Sequence, residues 1–187
     1  MYAASDLRKG LKVEVDGAPY DIVDFSFVKP GKGQGMYNCK MKNLITGATL
    51  QRTYRSADKI DQPHLEEHRL TYSYAEGDNY VFMNEAYEQV MLNAEVLGRN
   101  RFFLTENCEV DVLFFNARPI EVVLPTFVEK VIEDTEPGAR GNTATNVLKP
   151  AKIAGGYQLQ VPLFVNKGDL IKIDTRTGEY ADRVRKF

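Results

Sequence analysis

Alternating apolar and polar residues run through most of the chain and predict β-strands. The segment "LKVEV" alternates strictly, Asp16 and Gly17 form a turn dipeptide typical of tight hairpins, and "PYDIVDFSFV" resumes the pattern. After a glycine-rich stretch come "MYNCKMKNLI", a turn at Thr46 and Gly47, and "ATLQRTYR". We therefore predict a compact, barrel-like N-terminal module of about four or five strands that begins with a β-hairpin.

The strand pattern restarts twice along the chain. After Pro63 come "RLTYSYA", "NYVFMN", a more helical stretch "EAYEQVMLNAEVLG", and the strands "EVDVLFF" and "IEVVLP". The last part holds "FVEKVIED", the loop "TEPGARGNTATN", "YQLQVPLFV" and "DLIKIDTRTGEYADRV". Short strands separated by turns at regular spacing predict an all-β protein of three small β-barrel domains in series, at residues 1–64, 65–127 and 128–187.

Composition, the N-terminal sequence and the cysteines predict the compartment in which the protein is located. Of the 187 residues 43% are hydrophobic, which is enough to form real cores. The N-terminus lacks the apolar region of a signal peptide, and no apolar run approaches the roughly 20 residues of a membrane span. Cys39 and Cys108 lie in apolar or strand-like runs, which favours free buried thiols over a disulfide. We predict a cytoplasmic protein without a membrane partner.

Charge is distributed unevenly among the three predicted domains. Lys and Arg number 10 against 7 Asp and Glu in residues 1–64, 4 against 11 in residues 65–127, and 10 against 8 in residues 128–187. Two mildly basic ends around an acidic middle suit a protein whose ends contact a polyanion. An ordinary solvated surface produces the same unevenness by chance, so charge alone leaves both interpretations open.

Motifs of enzymes are weak or missing in this sequence. "HLEEH", from His64 to His68, fits an H-x-x-E-H zinc pattern with Glu67 as the base. That chemistry needs a helix and a third ligand, whereas Pro63 precedes the motif and a strand pattern follows it, so a solvated interdomain segment is favoured. "PGKGQG" lacks the spacing of a P-loop, and no serine has a credible histidine partner. We predict no enzymatic activity, no cofactor and no metal.

The glycine-rich stretch "FVKPGKGQGMYN" is the strongest candidate site. It places Lys32 between Gly31 and Gly33, with Lys29 and Pro30 just before. A turn of this composition has few side chains to pack, so Lys32 is expected to project into solvent. Such a lysine offers a long stem, a charge for phosphates and an amine open to modification. A flexible turn with an incidental charge is the alternative.

Several segments resemble the bacterial elongation factor P family. They are "YDIVDFSFVKPGKGQG", "KNLITGATLQRTYRS", "YVFMNEAYEQ" and the C-terminal run "KPAKIAGGYQLQVPLFVNKGDLIKIDTRTGEY". In the last run, the residues at the spacing of that family's signature are Lys149, Pro150, Ala151, Gly156, Leu159, Val161, Pro162, Val165 and Gly168. The similarity extends over essentially the whole chain.

The resemblance implies a fold, a function and a set of partners. Members have an SH3-like barrel followed by two barrels of the oligonucleotide-binding (OB) type, in an L shape that imitates transfer RNA. They act as monomers on both ribosomal subunits between the peptidyl and exit sites, contact peptidyl-tRNA and ribosomal RNA, and relieve stalling at consecutive prolines. Lys32 falls at the position that a lysine-modifying enzyme extends. The implied tRNA-binding loop consists of Lys29, Pro30, Gly31, Lys32, Gly33 and Gln34.

Three other groups of positions depart from the family pattern or allow a second interpretation. Gly35, Met36, Tyr37 and Asn38 stand where members commonly have Ala-Phe-Val-Arg, so one flanking cation is missing. Gly141, Asn142 and Thr143 correspond to a Gly-Asp-Thr loop near the exit-site codon, and asparagine lacks the charge of aspartate. Tyr180 and Arg183 match positions that face transfer RNA, although the end of a strand can also hold them for packing alone.

Two alternative functions stay open on the sequence. Small barrels with basic ends also occur in general RNA-binding or chaperone proteins. A paralogous elongation factor P-like protein is closer in fold, but its loop typically lacks the PGKG arrangement found here.

Overall fold

A computed structural model describes residues 1–138 and 147–187. By proximity of the backbone these residues form two compact units, one of Met1–Glu67 with Leu113–Glu121 and the other of His68–Val112 with Val122–Phe187. The described part of the chain holds 17 strands, one α-helix and three short 3-10 helices. The all-β prediction is therefore confirmed, while the three predicted domain boundaries stay predictions.

The N-terminal part of the first unit is a four-stranded antiparallel sheet. Strands β1 and β6 pair beside it, and the sheet order is β2-β3-β4-β5. The bounds are β1 Tyr2–Ala3, β2 Lys12–Val15, β3 Ala18–Val28, β4 Met36–Asn43, β5 Thr49–Arg55 and β6 Lys59–Ile60, with a 3-10 helix at Ala4–Asp6. The predicted hairpin is confirmed, since Asp16 and Gly17 join β2 to β3 with φ of 52° and 78°. Positive φ at both central residues matches the twist of paired strands.

One face of this sheet forms the core of the first unit. Alternate residues of the strands point to it, and the chain segments around the sheet cover it. Its buried members are Ala4, Leu7, Leu11, Val13, Val15, Ile22, Cys39, Met41 and Ile60. Cys39 and Cys108 are both free and buried, as predicted, and burial raises the pKa of the Cys39 thiol.

The next five strands form one antiparallel sheet with the order β11-β10-β7-β8-β9. The bounds are β7 Leu65–Glu76, β8 Asn79–Met83, β9 Gln89–Asn93, β10 Glu109–Phe115 and β11 Arg118–Val123. The helical expectation for residues 85–98 is wrong over most of its length, because Gln89–Asn93 pairs with Met83–Asn79 of β8. Only Ala94–Leu97 forms helix α1, capped by the Asn93 side chain, and a 3-10 helix follows at Gly98–Phe102.

The segment "HLEEH" is not helical. Strand β7 begins at Leu65, so the expected interdomain segment in fact supplies the start of a strand. Four residues along a strand span about 13 Å, which is too far for two histidines to bind one ion. No group of three or more potential ligands that could hold a metal occurs within residues 1–138 and 147–187.

The C-terminal part contains two three-stranded antiparallel sheets, with the orders β12-β16-β17 and β13-β14-β15. The bounds are β12 Phe127–Val131, β13 Asp134–Thr135, β14 Leu148–Lys152, β15 Gln158–Pro162, β16 Leu170–Asp174 and β17 Glu179–Arg185, with a 3-10 helix at Ala154–Gly156. Buried aliphatic residues of these strands form the core, among them Val128, Ala151, Leu159, Val161, Ile171 and Ile173. No helix in the described ranges is long and apolar enough to cross a membrane.

Within the second unit, the turn between β16 and β17 packs against the 3-10 helix that follows α1. The Arg99 guanidinium donates to the carbonyls of Thr177 at 3.0 Å and Arg176 at 3.1 Å. The Tyr157 hydroxyl donates to the Gly178 carbonyl at 2.9 Å, and its ring stacks on Phe102 with centroids 5.4 Å apart. The two Arg99 hydrogen bonds join residues that are 78 and 77 positions apart in the sequence.

Gly178 gives a test of this packing. Its φ is +76°, and an added Cβ would lie 2.5 Å from the Tyr157 hydroxyl and 3.0 Å from Arg99. Gly77 is the matched control, because its φ is +62° but nothing lies near an added Cβ. We expect Gly77→Ala to lower the free energy of unfolding by about 1 kcal/mol through backbone strain alone. Gly178→Ala should cost about 2 kcal/mol, since crowding adds to that strain. Denaturant unfolding followed by circular dichroism measures both, and equal losses would contradict the packing argument.

Candidate functional site

A seven-residue loop, residues 29–35, joins strands β3 and β4. The last residues paired across the hairpin are Val28 and Met36, and Phe27 pairs with Tyr37 one step earlier. Lys29 and the residues from Gly31 to Gln34 are exposed, Pro30 is half-buried and Gly35 is buried. Lys32 stands at the middle of this loop, which is where the sequence predicts the candidate site.

The backbone on both sides of Lys32 is open. A Cβ added at Gly31 or Gly33 would meet no heavy atom within 4 Å, and Gly33 has a φ of +127° that few other residues adopt. Among the residues that the structure describes, none pairs with the Lys32 ammonium. The lysine is therefore exposed, as the glycine pattern predicts, and its charge is available to a partner.

The base of the loop is packed, and the sequence gives no sign of it. An added Cβ at Gly35 would lie 2.4 Å from the Phe27 ring, which covers this glycine. The Phe27 ring in turn contacts that of Tyr37, with centroids 4.8 Å apart. In the sequence Gly35 looks like the other loop glycines, but in the structure the Phe27 ring lies close to where its Cβ would be. A short-range pattern contains no signal for such a contact.

The outer face of the sheet beside the loop carries further cations. Arg55, which is exposed, lies opposite Met36, the first residue after the loop. Asn38, which stands in place of the family's arginine, instead accepts a hydrogen bond from the Thr53 hydroxyl at 2.8 Å. A positive charge therefore lies next to the loop on β5 rather than on β4. Arg55 could not be assigned to the site from the sequence, because its neighbours depend on the register between strands.

The other predicted site residues belong to the C-terminal part of the chain. Gly141, Asn142 and Thr143 lie outside the described residues. Tyr180 and Arg183 lie on β17, opposite Ile173 and Ile171, and a bulge between them keeps both on the face of those buried partners. Tyr180 is half-buried, and burial raises the pKa of its hydroxyl.

Arg183 is engaged within the protein. Its guanidinium carbon lies 4.7 Å from the centroid of the Phe164 ring, and the group donates to the Phe164 carbonyl at 3.3 Å. It also lies 3.8 Å from the Asp169 carboxylate. These contacts hold the Arg183 side chain in place, and its contact with transfer RNA stays a prediction.

Asp169 is the centre of a buried polar network. Its carboxylate is inaccessible to solvent and accepts hydrogen bonds from the backbone N–H groups of Asn166 and Phe187, at 2.9 and 2.8 Å. Burial raises the pKa of Asp169, but these two hydrogen bonds and the charges of Arg183 and Lys186 outweigh it, so the net pKa is lowered. The carboxylate therefore holds the C-terminus against the turn before β16.

Lys149, a residue of the C-terminal signature, is also structural in character. It is buried, and its ammonium donates to the carbonyl of Glu136. Burial lowers its pKa, although the charges of Asp169 and Glu136 act in the opposite direction. The spacing of the signature thus partly reflects buried polar contacts of the C-terminal part.

Three family models together cover most of the chain. The elongation factor P KOW-like domain matches residues 3–60, the elongation factor P OB domain matches residues 65–122, and the elongation factor P C-terminal model matches residues 128–183. The loop with Lys32 lies in the first of these matches.

Relatives and a solved structure agree with these matches. Elongation factor P of Desulfotalea psychrophila is 50% identical over 187 residues, and that of Desulforapulum autotrophicum is 51% identical, with all of both chains covered in each case. A eukaryotic translation initiation factor 5A from Methanococcus jannaschii is similar in fold, with a TM-score of 0.56 and 21% identity over 66% of this chain and 91% of that one. By full-length identity and by all three family models, the chain belongs to the elongation factor P family.

Proposed function

We propose that this chain, a translation elongation factor, binds the ribosome between the peptidyl and exit sites and stimulates peptide bond formation at consecutive prolines. The loop of residues 29–35 would contact peptidyl-tRNA there, and other surfaces would contact ribosomal RNA on both subunits. The observation that carries the proposal is the exposed Lys32, which has no partner among the described residues and stands between two open glycines.

The chemistry of proline explains why such a cation would help. Its ring locks φ and removes the N–H, so peptidyl-tRNA that ends in proline is a poorly oriented reactant. A long cation placed along the CCA end neutralises phosphates and restricts the freedom of that end. Orientation of this kind lowers the barrier of a reaction without any new chemical step.

On this proposal the protein is a positioning factor and not an enzyme. The loop offers the side chains of Lys29, Lys32 and Gln34, and it contains no histidine, carboxylate or thiol. The catalytic groups would belong to the ribosome. On this proposal the protein acts as a monomer in the cytoplasm, where translation takes place, and needs no cofactor.

The further site assignments are part of the proposal. The division into domains at residues 1–64, 65–127 and 128–187 assigns Lys32 to the first and the segment with Gly141, Asn142 and Thr143 to the third. We place that segment near the exit-site codon. We also propose that Tyr180 and Arg183 contact transfer RNA, with Arg183 held in position by Asp169 and Phe164.

A reconstituted translation system tests the proposed function. The rate of peptide bond formation is measured with and without the protein, on one message that encodes three consecutive prolines and one that encodes none. We expect faster synthesis on the proline message alone. Equal rates with and without the protein on the proline message would refute the proposal, and tight binding to free RNA would then favour a general RNA-binding protein.

We also propose that a host enzyme extends the Lys32 amine. Lys32 is exposed at the middle of the loop between two open glycines, so a modifying enzyme would have room to enclose it. Tandem mass spectrometry of protein purified from its own host is expected to place an added mass on Lys32. Lys29, three residues earlier on the same loop, is the internal control and should be unmodified. An unmodified Lys32 at full occupancy would contradict this part of the proposal.

A further inference from the structure

We propose that Phe27 is a positioning residue, which holds Gly35 and thereby sets the direction in which the loop presents Lys32. This inference rests on the proposed function of Lys32. It concerns three residues that we call the loop clamp, namely Phe27, Gly35 and Tyr37.

The loop clamp connects the loop to the hydrophobic core. Tyr37 packs against the core cluster of the first unit. The Phe27 ring lies between Tyr37, at a centroid distance of 4.8 Å, and the backbone of Gly35, which it approaches too closely to leave room for a Cβ. The contacts therefore form a continuous series from the core through two rings to the last residue of the loop.

Burial along the loop agrees with this connection. Gly35 is buried although its neighbour Gln34 is exposed, and the Phe27 ring that covers it is itself 50% exposed. An aromatic side chain that is half in water makes little contribution as a core residue, because much of its surface stays hydrated. The position of the Phe27 ring across Gly35 is better explained by a restraint that the ring places on the loop.

The contact of Phe27 with Gly35 shortens the part of the loop that can move freely. Without the ring, the end of the loop would be anchored by the pairing of Val28 with Met36 and by a long hydrogen bond, 3.5 Å, from the Ser56 hydroxyl to the Gly35 carbonyl. With the ring, Gly35 is also held by packing, and Pro30 restricts the other end through its fixed φ. The Lys32 ammonium then samples a smaller volume. Its effective concentration is therefore higher at a binding partner that lies in the direction in which the loop points.

The first test measures loop motion on the full chain without a ribosome. A spin label is attached to Lys32→Cys, and the two natural cysteines are buried, so they react poorly. Adding Phe27→Ala should make the label rotate faster, whereas Phe27→Tyr keeps the ring and should leave the spectrum unchanged. Identical spectra for all three proteins would overturn the loop clamp, whatever the protein does in translation.

The second test measures function with Lys32 in place. We expect Phe27→Ala to lower the maximal rate on the proline message about three- to tenfold, while the protein concentration for half-maximal stimulation is unchanged. Gly35→Val should do the same, because a branched side chain displaces the ring further than a single methyl group would, and its thermal stability should change little since the ring can move into solvent. Tyr87→Ala, which removes an 84% exposed ring from the second unit, is the control and should have no effect.

The double variant separates the loop clamp from independent effects. If Phe27 acts by holding Gly35, Phe27→Ala combined with Gly35→Val is no worse than either change alone. Losses that multiply, or no loss in either single variant, would overturn the inference. Absence of stimulation by the unaltered protein would instead refute the proposed function, and the spin-label spectra would still decide whether the ring restrains the loop.

Discussion

Lys32→Ala is expected to reduce synthesis on the proline message to the rate without any factor, while the protein stays folded. The side chain is exposed and makes no pair with a described residue, so the substitution should change the free energy of unfolding by less than about 0.5 kcal/mol. The whole proposed effect on the CCA end depends on this one cation. The measurement is the rate of peptide bond formation at saturating protein, together with a melting curve.

Two lysine variants control for charge and position. Lys9→Ala removes another exposed lysine of the first unit, and its neighbour Gly10 bonds to Ile22, six residues before the end of β3 and roughly 20 Å from the loop. It should retain full stimulation. Lys32→Arg keeps the charge but removes the primary amine, so it should retain part of the effect of the unmodified protein. Full stimulation by Lys32→Ala would contradict the proposed role of this residue.

Asp169→Ala is expected to cause the largest loss of stability, about 3 to 4 kcal/mol, because it leaves two buried N–H groups without an acceptor. Those groups belong to Asn166 and Phe187, and Arg183 loses its buried partner as well. Denaturant unfolding gives the value. Asp182→Ala, an exposed carboxylate of β17, is the matched control and should change stability by less than about 0.5 kcal/mol.

The contribution of Asp169 should also depend on pH. Its pKa is lower in the folded protein than in the unfolded chain, so the unfolded state binds its proton first as the pH falls. The stabilisation is present above the ordinary carboxyl pKa of about 3.9 and is lost as the pH falls through the lower folded pKa. Asp169→Asn offers one acceptor where two are needed, so its stability deficit should shrink below about pH 4. A deficit that is constant from pH 7 to pH 3 would show that the charge is unimportant.

Local patterns predicted much of the fold because they depend on neighbours in the chain. The hairpin at Asp16 and Gly17 follows from turn chemistry, and alternation places Val13 and Val15 in the core. The prediction of a helix at residues 85–98 is wrong because it also depended only on neighbours in the chain. The composition of this stretch suits a helix, but "QVMLN" pairs with β8, and pairing partners outweigh local preference.

The candidate site divides in a similar way. Lys32 could be found from glycine and proline alone, because an exposed tip needs only an open backbone. The roles of Phe27, Gly35 and Arg55 could not, since each depends on which residue lies across the sheet. Arg183 matches a family position, but its contacts with Phe164 and Asp169 are visible only in the structure.

The sequence by itself thus determined an all-β chain of the elongation factor P family with an accessible lysine at the middle of a glycine loop. These features depend on residue type and on spacing along the chain. Only the tertiary structure decided that a phenylalanine covers Gly35, that Asp169 anchors the C-terminus, and that Arg99 donates to the turn at residues 176–177. Such contacts join residues that are distant in sequence or opposite on paired strands, and register and packing alone bring them together.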